Sequence, residues 1–175
     1  MSILVLWSCK TYQKLYELRK MEDFNVEVGN NFIKKIQQLP EIHEISIVDT
    51  RADGNDFIVN RQLIFLDSNQ INQPNYYSYK KRASELKISS DSLQNCLNTF
   101  YKIGVNEFNR NEKHLIFPVI NKLNSVKGYI YSENETLQLG DTLQANSMRN
   151  KSYNYQLVLT RKINTNWFEY YKTLK

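Results

Sequence analysis

A chain of 175 residues with 41% hydrophobic and 23% charged residues has the length of about one domain and can bury roughly 70% of its unfolded surface without staples. Its composition excludes collagen, a coiled coil and a disordered chain, and no run of about eighteen apolar residues offers a membrane-spanning helix. Lys plus Arg number 23 against 18 Asp plus Glu, a formal charge of +5. Those cations are spread out, apart from the run Lys80-Lys81-Arg82, and so read as a solvated basic surface rather than the clustered face of a nucleic-acid module. The excess of 21 Asn, 15 Ile and 12 Tyr over 3 Ala matches AT-rich codon usage.

Residues Ser2-Ile3-Leu4-Val5-Leu6-Trp7-Ser8 are largely apolar, stop at Cys9, and give way to polar sequence at Lys10. This resembles the end of a bacterial lipoprotein signal peptide. Leu6 occupies the aliphatic position three before the cysteine, and Ser8 is the small residue beside the cut. The resemblance implies a diacylglycerol on the Cys9 thiol, export, and a lipid anchor in the cell envelope facing the periplasm. Each buried methylene of the acyl chains contributes about 0.8 kcal/mol of membrane affinity. On this reading residues 1–8 are a truncated signal segment, 9–23 a tether and 24–175 a single α+β domain. The other reading of the same residues is an apolar first strand of a cytoplasmic domain, with Cys9 a buried thiol.

Val28, Phe32, Ile33, Ile36 and Leu39 fall at helical spacing, and Pro40 closes that helix. Residues 42–48 read as a strand, Asp53-Gly54 as a hairpin turn, and residues 57–66 as the return strand. A polar loop with Pro74 covers 67–80. Ser89-Ser90-Asp91 supplies N-cap chemistry for a second helix, with Leu93, Cys96, Leu97, Phe100 and Ile103 as its apolar stripe and Gly104 at its end. Residues 115–120 and 128–132 form two strands about a turn at 121–125. A polar loop spans 133–151. Residues 153–162 and 167–172 close the chain as a hairpin around Asn164-Thr165-Asn166. The order α-β-β-α-β-β-β-β predicts an α+β fold, with an antiparallel sheet of about six strands and two main helices on one face.

Catalytic and metal patterns are sparse. His43 and His114, the two histidines, each stand near a strand start, and no Gly-x-Ser-x-Gly supplies a nucleophile. No Cys-x-x-Cys or His-x-x-x-His offers zinc ligands. Asp49 to Gly54 superficially resembles a calcium loop, but Arg51 would face the cation and Asn60 would stand where a bidentate Glu belongs. The segment reads as a turn in which Asp49, Asp53 and Asp56 form an acidic rim. Isolated glycines exclude phosphate-cradling loops, so no cofactor or metal is expected. Glu133 and Glu135 lie in a polar loop. Cys96 reads as a small buried hydrophobe, with a disulfide to Cys9 left open in an oxidising compartment.

Tyr76, Tyr77, Tyr79, Lys80, Lys81 and Arg82 interleave aromatics and cations in one segment. Tyr and Arg are enriched at protein interfaces, and the same mix can stack bases and neutralise phosphates. A second aromatic group, Tyr129, Tyr131, Tyr153, Tyr155, Trp167, Phe168, Tyr170 and Tyr171, alternates along the last strands and divides between core and surface. The expected function is a non-enzymatic exported lipoprotein that binds a protein partner in the envelope, immunity-protein-like or an accessory subunit. The alternatives are a cytosolic nucleic-acid-binding or regulatory module, and a hydrolase with a dispersed acidic site.

Overall fold

The computed structural model describes residues 24–48, 56–66, 77–111, 113–120, 126–133, 137–146 and 154–174. Cys9 with its flanking segment, the tether 9–23, Asp53-Gly54, Tyr76, the turn 121–125, Glu135 and Tyr153 lie outside the described residues. The chain is α+β with antiparallel strand pairing. It divides into two compact units, Met1–Glu107 and Phe108–Lys175.

The first unit holds all three described helices. Helix α1 (Val26–Gln37) begins where the Asn25 side chain accepts from the Val28 N–H at 3.0 Å and buries Gly29, Phe32, Ile33 and Ile36, which share one helical face. Strands β1 (Glu44–Ile47), β2 (Asp56–Val59) and β3 (Gln62–Phe65) pair in the order β3-β2-β1. Helix α2 (Tyr79–Glu85) follows, then α3 (Ser90–Tyr101), capped by the Ser89 hydroxyl. The rings of Phe32 and Phe100 meet at 5.3 Å between α1 and α3. Cys96 is fully buried on the α3 stripe with Leu93, Leu97 and Phe100, and Gly104 takes the left-handed φ of 88° just beyond that helix.

The expected single strand over 57–66 is instead a hairpin. Val59 pairs with Gln62, and the two residues between them, Asn60 and Arg61, have φ of 48° and 67°, the signature of a type I′ turn. The Asn60 side chain makes this turn affordable without glycine. Its Oδ1 accepts from the N–H groups of His43 (2.8 Å) and Glu44 (3.1 Å), and its Nδ2 donates to the Glu41 carbonyl (2.7 Å). Register places Ile45, Phe57, Val59 and Ile64 on one sheet face, all buried. Asp56 lies on the opposite face and is 3% exposed, so it is not part of a solvated acidic rim.

Strand β4 (Glu107–Arg110) begins at the boundary of the units. The rest of the second unit is β5 (Leu115–Ile120), β6 (Val126–Tyr131), β7 (Thr142–Asn146), β8 (Asn154–Lys162) and β9 (Trp167–Leu174), ordered β4-β5-β6-β9-β8-β7. Ile116, Ile130, Leu157, Leu159, Phe168 and Tyr170 form one core cluster with Leu137. The other face is buried too, where Phe117 meets Trp167 at 5.0 Å and Phe108 at 5.5 Å. Of the second aromatic group, Tyr129, Trp167, Phe168 and Tyr170 are core, and Tyr171 is exposed. A bulge at Thr160 shifts the β8–β9 register between Leu159 and Arg161, so that Arg161 stands opposite Glu169 rather than Phe168.

The expectation of about six strands and two helices is thus corrected to nine strands and three helices among the described residues, in the order α-β-β-β-α-α-β-β-β-β-β-β. Strand β4 escapes the sequence reading because Phe108 is its one apolar residue. Strand β7 hides inside a polar segment because it pairs on one side only, with β8.

Gly128 pairs with Tyr170 across β6 and β9, and the aromatic ring lies against the bare backbone. A Cβ added there would sit 2.4 Å from the Phe117 carbonyl oxygen and 2.6 Å from the Tyr170 hydroxyl. Gly128→Ala is therefore expected to lower stability by about 1–3 kcal/mol, seen as a reduced urea midpoint at unchanged slope. An unchanged midpoint would mean that strand and ring separate without cost.

Candidate functional site

The tyrosine–lysine–arginine segment is a short capped helix rather than a loop. Phe65 N–H donates to the Tyr77 carbonyl at 3.1 Å, fixing the approach to β3. The Ser78 hydroxyl then accepts from Lys81 N–H at 3.2 Å and starts α2. The helix ends in a Schellman motif. Ile88 N–H reaches the Ala83 carbonyl and Lys87 N–H the Ser84 carbonyl, with Lys87 in the left-handed position at φ 57°. Tyr79 donates its hydroxyl to the Gln94 side chain on α3 at 3.3 Å, and Ala83 is buried.

Arg82 points inward. Its side chain is 15% exposed, and Nη2 donates to the carbonyls of Val59 (3.1 Å) and Asn60 (3.2 Å). Nη1 meets Glu85 at 3.2 Å. Two charged hydrogen bonds to a partly buried turn outweigh an ion pair whose acid is largely solvated, so Arg82 is first a clamp on the β2–β3 turn. Glu85 also accepts from the Tyr77 hydroxyl. That bond, more than the neighbouring Arg82, holds the Glu85 carboxyl below its ordinary range. Burial, and then Glu85, pushes the Tyr77 hydroxyl up. The Lys81 ammonium lies 4.6 Å from the Tyr77 ring centroid, within cation–π range.

The structure therefore brings Tyr77, Lys81 and Arg82 together around Glu85, turns Tyr79 toward α3, and leaves Lys80 and Lys81 exposed. Glu85 is not singled out by the sequence, and Asn60 figures there only as the residue that does not fit a calcium loop. The i,i+3 spacing of Arg82 and Glu85 was the available signal for the first; the second carried none, because Asn-Arg is not a recognised I′ pair.

Elsewhere, His114 is 9% exposed and its Nδ1 lies 3.1 Å from the Ser132 Oγ. Burial, and secondarily Lys113, lowers its pKa. Ser132 is 2% exposed, so a substrate carbonyl has no approach to that hydroxyl in this conformation. Among the described residues no three His, Cys, Asp or Glu side chains gather to hold a metal ion, and no helix is long and apolar enough to cross a membrane. Arg82→Ala is expected to cost about 2 kcal/mol by stranding two carbonyls, and Arg82→Lys to recover only part of it, because an ammonium lacks the planar fork. Lys87→Gly is expected to gain about 0.5–1 kcal/mol by relieving the left-handed residue. Urea titration reads both. No protein-family model, curated protein or solved structure matches the chain.

Proposed function

We propose that this chain is a non-enzymatic, exported and lipid-anchored protein that binds a protein partner, with residues 77–82 at the contact and Cys9 as the acylated residue. The observation that carries the contact is the division of labour on α2. Ser78, Tyr79, Arg82 and Ala83 tie the helix down, so Lys80 and Lys81 stand exposed on a preformed platform. A preformed surface loses little conformational entropy on binding. The Tyr77 ring already has Lys81 against it, and Tyr79 is half-buried against Gln94. Neither tyrosine is a clear face for base stacking, which favours a protein over a single-stranded nucleic acid as partner. The anchor rests on Leu6-Trp7-Ser8-Cys9.

Two measurements test this reading. A photo-crosslinking amino acid at Lys80 or Lys81, in cells of the native host, is expected to give one discrete protein adduct that is absent with the probe at Asn31 or Thr142. Equal adducts at all four positions, or none, would remove the contact. Intact mass and fractionation are expected to show an acylated chain beginning at Cys9 in the membrane fraction, with Cys9→Ala unmodified. A soluble, unmodified chain beginning at Met1 would overturn the anchor.

A further inference from the structure

One buried polar node ties together the strand ends of the second unit. His114 ends the turn between β4 and β5, where the Asn111 side chain accepts from the N–H groups of Lys113 (2.9 Å) and His114 (2.7 Å). Its imidazole reaches Ser132, the first residue after β6. Ser132 in turn donates its N–H to the Asn166 carbonyl at 2.9 Å and accepts at its own carbonyl from Asn166 Nδ2 at 2.9 Å. Asn166 belongs to the β8–β9 turn, which the Asn164 side chain organises by accepting from the N–H groups of Asn166 and Trp167. Trp167 is fully buried against Phe117 and Tyr131.

We propose that His114 is a pH-sensitive latch: neutral, it holds these strand ends together, and on protonation it releases them. A neutral imidazole exchanges one hydrogen bond with the Ser132 hydroxyl in either tautomer. An imidazolium brings a charge into the same buried place, and burial of an uncompensated charge is costly. Among the described residues, the surrounding charges do not compensate it. Its own turn carries Lys113, and β4 ends in Arg110. The exposed Glu133 follows Ser132, while the residues between β8 and β9 carry no charge. On the neighbouring strand ends, Lys162 stands over the Phe168 ring and Arg161 holds Glu169 at 2.7 Å. Glu112 lies outside the described residues.

The folded-state pKa of His114 lies below its ordinary value, so the unfolded or opened state binds the proton more tightly. The latch is then complete above about pH 6.5 and weakens as pH falls through that value. Until the folded-state pKa is reached, the opening constant rises as pH falls, with about tenfold per pH unit as the one-proton upper limit.

Hydrogen exchange of the full chain between pH 8 and pH 5, corrected for intrinsic rates, tests the proposal. The Ser132 and Trp167 amides are expected to open more readily as pH falls below roughly 6.5, by up to about tenfold per pH unit, in the wild type and in His43→Gln alike. His114→Gln, which keeps a polar group for Ser132 but cannot take the proton, is expected to show no such slope. If that variant does not fold, the ring signal of His114 in the wild-type protein serves instead, and its titration midpoint is expected to lie below about pH 6.5, where the rise in opening levels off. An equal slope in His114→Gln, or a ring that titrates with no change at Ser132 and Trp167, would overturn the latch.

Discussion

Two consecutive left-handed residues, Asn60 and Arg61, are the constraint on which the candidate surface depends. A non-glycine residue in that region costs about 1–2 kcal/mol, and the strain persists only because the surroundings fix it. Asn60 satisfies three backbone groups at the entry to β1 with its side chain. Arg82 then closes over the two carbonyls of the turn from α2. The same contacts that hold the strained turn also fix the rotation of α2 about its own axis. With Arg82 and Ala83 inward, helical geometry sends Lys80 and Lys81 outward.

The second unit separates energy from geometry. Trp167, Phe168 and Tyr170 are each buried to within about a hundredth of their surface. A large aromatic removes roughly 150–250 Å² from water, an upper bound of about 4–6 kcal/mol apiece at ~25 cal/mol per Å². No hydrogen bond of the His114–Ser132–Asn166 node approaches that figure. The aromatics therefore supply the stability, while the node decides where the turns sit. A one-proton change can alter the placement of those turns without first melting the core.

The sequence discloses its strongly periodic parts. The apolar stripes of α1 and α3, the Ser89 cap, the long strands β5, β6, β8 and β9, and the buried Cys96 all follow from spacing that tertiary contacts reinforce. What escaped it is short or set by unusual chemistry. Seven residues rich in Tyr and Lys make α2, one Phe makes β4, and Asn-Arg turns a hairpin that usually calls for Asn-Gly. The candidate site was legible as a composition but not as an orientation. Whether Arg82 faces solvent or a turn depends on two carbonyls more than twenty residues earlier, and no local pattern encodes that.

Charge gives the last step. The formal excess of +5 does not say which charges a partner meets, because a cation turned onto an interior acceptor acts less outward. Arg82 is turned onto Val59 and Asn60. Glu85, in turn, is held between Arg82 and Tyr77, so its negative charge is partly neutralised from within. The outward field of α2 is then that of Lys80 and Lys81, with Lys87 at its end. Two or three adjacent ammonium groups on a fixed helical turn select by position and approach rate more than by affinity. Affinity must come from apolar burial around them, and Tyr77 and Tyr79, half-buried and already anchored, are placed to extend that burial at low entropic cost.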